Sequence, residues 1–184
     1  MENKMYLKLS KMYLFFFIIS ILGWIYEVFL DVVIYRWGFT NRGVLIGPYC
    51  PVYGCGAIAI LFCLKKLMKK KIRLFKTNIT PAIVFVGIVV ITTIIELIAS
   101  YIMEFTTGSW LWDYTRFSFN FEGRIALNPS IRFGIGGMII LYVLYPVFEK
   151  FIKSLGEKRT VIFAIITSII MLIDALFVFV IWNV

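Results

Sequence analysis

The chain has 184 residues, of which 61% are hydrophobic and only 16% charged, with a net charge of +9. A water-soluble domain is nearer about 45–50% apolar and 25% charged, so this composition excludes a soluble enzyme and predicts an integral membrane protein. There is no histidine, and Cys50, Cys55 and Cys63 lack CxxC spacing, so no metal, cofactor, Ser-His-Asp or Cys-His site is expected, and the cysteines read as small apolar residues.

A helix needs about 20 apolar residues to cross the hydrocarbon layer. The first stretch long enough runs over about 12–35. Lys4, Lys8 and Lys11 precede it as they would a signal peptide, but "GWIYEVFLD" follows in place of small residues, so a retained span is expected. Glu27 and Asp31 lie in its outer half, four apart and therefore on one helix face, with Trp24 about a turn before.

"WGFTNRGVLIGPYCPVYGCG" (37–56) then leads into a second span, about 50–68. Its glycines permit close helix approach, and Pro51 suits a first helical turn. The same residues suit a re-entrant loop whose N–H groups near 43–47 form an anion-binding concavity beside Arg42. Close packing is the reading we favour.

A basic stretch, Lys65 to Lys76, leads to a third span, about 80–103. Thr92, Glu96, Ser100 and Glu104 follow at steps of four along it, a polar stripe on one side of a helix. Carboxylates at such depth are tolerated when they face the protein interior, pair with a cation or stay protonated. Glu27 and Glu96 are expected either as pins, each paired with an arginine of an outer loop, or as the lining of a substrate path. Asp31 and Glu104 are expected nearer the surface and solvated.

Residues 105–130 form the one long outer loop. Its aromatics fit an interfacial belt, and "SFNFEG" alternates polar and aromatic residues like a short strand or amphipathic segment. Spans four (about 131–149) and five (about 161–182) complete the chain, with Asp174 near the middle of the last.

The basic residues sort by side. Fourteen of nineteen, including all twelve lysines, fall before span one, between spans two and three, or between four and five; Arg36, Arg42, Arg116, Arg124 and Arg132 lie on the other side. The positive-inside rule then puts the N-terminus in the cytoplasm and the C-terminus outside. The charge is explained by topology, with no nucleic acid.

"YGCGAIAIL" (53–61) matches "FGIGGMIIL" (133–141), and each is preceded by a proline, an Arg-Gly or Gly-Arg pair and a span carrying a glutamate. The expected fold is therefore one all-α membrane domain: repeat one about 12–68, repeat two about 80–149, two parallel hairpins running from the cytoplasm, and an added fifth helix.

"GWIYE" (23–27), "NRGVLIGPYCPVYGCG" (41–56), "WDY" (112–114) and "FNFEGRIAL" (119–127) together resemble the bacterial putative type IV ABC-transporter permease family, the CmpB-like membrane proteins, over about 12–150. The resemblance implies a permease in the bacterial cytoplasmic membrane, among membrane lipids and working with a separate ATPase subunit; because five spans make a small pore, a second copy of the chain is also expected as a partner. The chain lacks G-x-x-x-x-G-K-[ST] and so is not itself the ATPase, and its basic loop at 65–76 reads as a topology anchor more readily than as an ATPase dock.

The expected site is a polar chamber toward the outer leaflet. Glu27 and Glu96 are its acids, Arg42 and Arg124 its cations, and Asn41, Tyr49, Tyr53, Asp113, Tyr114 and Asn120 its rim. Three functions are compatible with it: a transport component, a membrane enzyme or lipid-headgroup-binding protein at the outer face, and a non-catalytic assembly or sensor protein. The lack of histidine or an evident nucleophile weighs against catalysis.

Overall fold

A computed structural model describes residues 2–110 and 112–181. It is 74% helical, and among the described residues five helices are long and apolar enough to cross a membrane: Lys4–Ile34, Pro51–Met68, Thr80–Thr107, Leu127–Leu155 and Glu157–Val180. All five expected spans are present, most of them longer than the apolar run alone; position 182, the expected end of the fifth, lies outside the described residues.

In chain order the elements are α1 (Glu2–Phe29), continued by a π-turn over Leu30–Ile34; α2 (Pro51–Met68); a ribbon of β1 (Arg73–Leu74) and β2 (Thr77–Asn78); and α3 (Thr80–Thr107). A second antiparallel ribbon, β3 (Asn120–Phe121) with β4 (Ile125–Ala126), pairs Phe121 with Ile125. Then come α4 (Leu127–Ile139), a π-turn over Ile140–Leu144, α5 (Tyr145–Leu155), and α6 (Glu157–Leu176) with a final π-turn, Phe177–Ile181. Of the alternating segment "SFNFEG", Asn120 and Phe121 form the strand β3.

The boundaries follow from local chemistry. Pro51 and Pro81 sit in first turns, where a missing N–H is harmless. Gly108, in the left-handed region at φ 78°, ends α3 by donating its N–H to Glu104 O at 2.9 Å.

Contacts divide the chain into two units. The first comprises Met1–Ile58 and Val147–Val184. In it α1 packs on α6, Phe15 meets Phe148 with ring centroids 5.1 Å apart, and Leu45, Tyr49 and Val178 form a buried cluster with Phe17, Ile21 and Met171 around it. Gly54 lies where a Cβ would overlap Phe16 and Ser20 of α1.

The second unit comprises Ala59–Pro146. Its core is Ile60, Leu64, Val84, Ile88 and Leu141, and α3 packs on α4. Gly134 admits Phe85 and Val89, and Gly137 admits Ile88. Gly54, Gly134 and Gly137 thus act as the close-packing positions expected of these spans, whereas Gly56 and Gly136 face open space.

Candidate functional site

In the first unit the polar side chains gather around the loop at 35–50. Asp31 stands in the π-turn that ends the first span, only 2% exposed. Arg42 grips it at both oxygens: Nε pairs with Oδ2, and Nη2 donates to Oδ1 at 2.6 Å. Thr40 Oγ1 adds a third bond, to Oδ2 at 2.7 Å. The bond to Asp31 raises the Arg42 pKa further, so the guanidinium stays charged.

Glu27, one turn deeper, accepts from the Tyr53 hydroxyl. Gly23 makes this contact feasible, because a Cβ there would collide with the Tyr53 ring. The expected Glu27–Arg42 pin is therefore corrected. Arg42 selects Asp31, whose two oxygens meet the guanidinium side-on, and the expectation that Asp31 is solvated is overturned by its burial.

The loop itself is tied on both sides. Trp24 Nε1 donates to Asn41 Oδ1 at 2.7 Å, and Asn41 Nδ2 donates to the carbonyls of Leu45 (3.2 Å) and Ile46 (2.9 Å). The N–H groups of Ile46 (3.1 Å) and Gly47 (2.8 Å) converge on the carboxylate of Asp174, joined by the Tyr49 hydroxyl. Of the N–H groups near 43–47 considered as an anion site, those of Ile46 and Gly47 are taken by the chain's own Asp174. Burial, followed by the neighbouring Asp174, pushes the Tyr49 phenol well above its ordinary pKa. Cys50 donates its N–H to Ser20 O at 2.9 Å and its thiol to Arg42 O at 3.4 Å; burial and the charge of Glu27 push that thiol up to about 12.

The second unit has its own cluster. Glu96, buried on α3, accepts from Tyr114 Oη at 2.8 Å. Arg124 is 6% exposed. Its guanidinium lies 4.1 Å from the Tyr101 ring centroid and 4.0 Å from that of Trp110. Its edge pairs with Glu104, and with Glu122 at 3.3 Å, while Nη1 reaches Ser100 Oγ at 3.5 Å. Trp112 Nε1 donates to its carbonyl at 2.7 Å. Here too the expected partner is corrected: Glu104, expected to be merely solvated, takes the arginine although its side chain is 42% exposed, and Glu96 takes the tyrosine.

Asp113 and Asn120 are exposed loop organisers. Asp113 accepts from Thr115 N (2.9 Å) and Oγ1 (3.0 Å), and those bonds, backbone first, lower its pKa. Asn120 donates to Phe117 O at 2.6 Å and accepts from Gly123 N at 3.0 Å. Gly123, at φ 67°, packs against Thr115 and Asp113 where a Cβ would be crowded.

A family model matches residues 14–179, nearly the whole of this architecture. The chain belongs to the family described as "Putative ABC-transporter type IV". No curated protein and no solved structure matches it.

Within this member of the family, the ten expected site residues fall into two groups of five. Glu27, Asn41, Arg42, Tyr49 and Tyr53 share the first unit; Glu96, Asp113, Tyr114, Asn120 and Arg124 share the second. Sequence reasoning missed Asp174, Ser100, Tyr101, Trp110 and Glu122 as partners. A usable signal existed for Asp174: it is the only charged residue between Arg159 and Val184, and a carboxylate within a membrane span needs donors.

Proposed function

We propose that this chain is the membrane-spanning component of a transporter in the bacterial cytoplasmic membrane, with its N-terminus inside and C-terminus outside, working with a separate ATPase subunit and as a homodimer. Its family and its five spans support a transport role. The polar groups of each unit are its solute-handling residues, near the outer leaflet: Glu27, Asn41, Arg42, Tyr49 and Tyr53 in one half, and Glu96, Asp113, Tyr114, Asn120 and Arg124 in the other.

The observation that carries this reading is a shared register. Gly54 meets Phe16 and Ser20; Gly134, eighty positions on, meets Phe85 and Val89, each sixty-nine positions on. The same shift of sixty-nine carries Glu27 to Glu96, each hydrogen-bonded to a tyrosine hydroxyl, and Asp31 to Ser100, each touching an arginine. The difference between the two shifts is the extra length of the second outer loop. Two hairpins of one plan, each with an acid deep in its first helix, fit a transporter built from parallel repeats, in which solute sites form from corresponding positions of the halves.

The test is flux through liposomes reconstituted with the chain and its candidate ATPases. Coupled flux that Glu27→Gln and Glu96→Gln both abolish, at normal protein abundance, supports the reading. Loss of abundance or partner binding alone would favour an assembly protein, and a lipid precursor accumulating in a deletion strain would favour an enzyme.

A further inference from the structure

The ribbon joining α2 to α3 carries a feature that transport does not use. β1 and β2 pair Leu74 with Thr77, leaving Phe75 and Lys76 as the turn. Phe75 lies in the left-handed region at φ 54°, where two-residue hairpins ordinarily place Gly, Asn or Asp. A bulky side chain there is strained, yet Phe75 is 95% exposed and recovers no burial in return.

The presentation of this ring is built. Thr80, fully buried at the start of α3, accepts the Ile72 N–H at 2.8 Å and donates to Lys70 O at 2.9 Å. Asn78 Oδ1 caps the Thr80 N–H at 3.1 Å, and Ile79 N–H reaches Ile72 O at 2.9 Å. Within six positions of Phe75 in the sequence lie Lys69, Lys70, Lys71, Arg73 and Lys76, all exposed, and no Asp or Glu occurs between Asp31 and Glu96. Leu74, also exposed, adds a second apolar side chain.

We infer that the 69–78 ribbon is an anionic-lipid binding element, in which Phe75 beds at the headgroup–acyl boundary while the five cations take lipid phosphates. The ribbon leaves and re-enters the bilayer within eleven residues, between Met68 and Thr80, so a headgroup layer is the surface nearest to it. Aromatic rings favour that depth, and a cluster of Lys and Arg beside a span attracts anionic lipid. The inference requires only that α2 and α3 span a bilayer, and holds for either orientation and with or without transport.

The experiment uses the full chain in nanodiscs. With Cys55→Ala and Cys63→Ala and the buried Cys50 retained, Phe75→Cys carries a nitroxide. In phosphatidylglycerol-rich discs the label gains oxygen contact and is shielded from an aqueous nickel chelate; full access to the chelate overturns the inference and leaves the ribbon to a soluble protein. A second measurement avoids the label. The native chain has a higher Tm in phosphatidylglycerol than in phosphatidylcholine discs. Glutamine at Lys69, Lys70, Lys71, Arg73 and Lys76 removes more than half of that gain, whereas glutamine at Lys4, Lys8, Lys11, Lys153 and Lys158 leaves most of it. Equal losses in the two variants would mean generic attraction to basic residues and overturn the inference.

Discussion

Arg42 binds both carboxylate oxygens of Asp31, while Glu27, one turn deeper on the same helix, is served by Tyr53. The two acids on one helix face therefore have separate partners, and their substitutions have separate consequences.

The first prediction concerns asymmetry within the Arg42–Asp31 pair. The Asp31 side chain is 3% exposed and that of Arg42 32%. Removing the arginine strands a buried charge, which costs about 3–5 kcal/mol; removing the acid leaves a cation that can still turn to water. Arg42→Ala should lower stability in mixed-micelle denaturation by about that amount. Asp31→Asn should cost less, and the double variant should recover part of the Arg42→Ala loss. Equal losses for the two single changes would contradict the burial argument.

The second prediction concerns Asp174 and uses Cys50 as reporter. A thiol pKa of about 12 keeps the neutral form dominant at all lower pH, so at pH 8 roughly one molecule in ten thousand is thiolate. With Cys55 and Cys63 replaced by alanine, Cys50 should resist maleimide at pH 8. Asp174→Ala leaves the N–H groups of Ile46 and Gly47 without their acceptor; the Ile46 group is exposed and can turn to water, whereas the part-buried Gly47 group costs about 1–3 kcal/mol. The loop should then loosen and Cys50 should label at least about tenfold faster, a difference of about 1.4 kcal/mol in the opening equilibrium. An unchanged labelling rate would mean that Asp174 does not hold the loop.

Much of this fold is written in local sequence. Runs of apolar residues set the five spans, Pro51 and Pro81 set two helix starts, and the Gly54 and Gly134 motifs mark where a neighbouring helix comes close. The pairings are not local. Which of Glu27 and Asp31 takes Arg42 depends on a π-turn that re-aims Asp31 and on a glycine at 23 that admits Tyr53. Asp174 meets Gly47 across 127 positions, a relationship that periodicity along one helix cannot encode. The contacts of Arg124 are likewise non-local: Trp110 reads as an interfacial aromatic, yet its ring and that of Tyr101, one from a loop and one from a helix, both lie against the same guanidinium.

The third prediction tests the repeat through its glycines. A Cβ at Gly54 or Gly134 would overlap the facing helix, whereas at Gly56 or Gly136 it would meet nothing within 4 Å. Alanine at either of the first two positions should destabilise by about 1–3 kcal/mol. Alanine at either of the second two should be neutral or slightly stabilising, since it relieves the helix penalty of glycine. Thermal denaturation of the four single variants decides it, and a pattern that divides by hairpin and not by position within the motif would argue against a common plan.

The last prediction separates charge from shape at Arg124. Its guanidinium uses two ring contacts, two carboxylates and Ser100 together. Lysine keeps the charge but is a point donor without the planar fork, and cannot satisfy the two carboxylates and the rings at once. Arg124→Lys should therefore behave far more like Arg124→Ala than like wild type, both lowering the midpoint of thermal denaturation. Trp110 supplies an independent readout: its emission should shift in both variants as the cation leaves the ring. A lysine variant with wild-type stability and emission would mean that net charge alone matters, and that the aromatic contacts contribute nothing to holding the β3–β4 ribbon against α3.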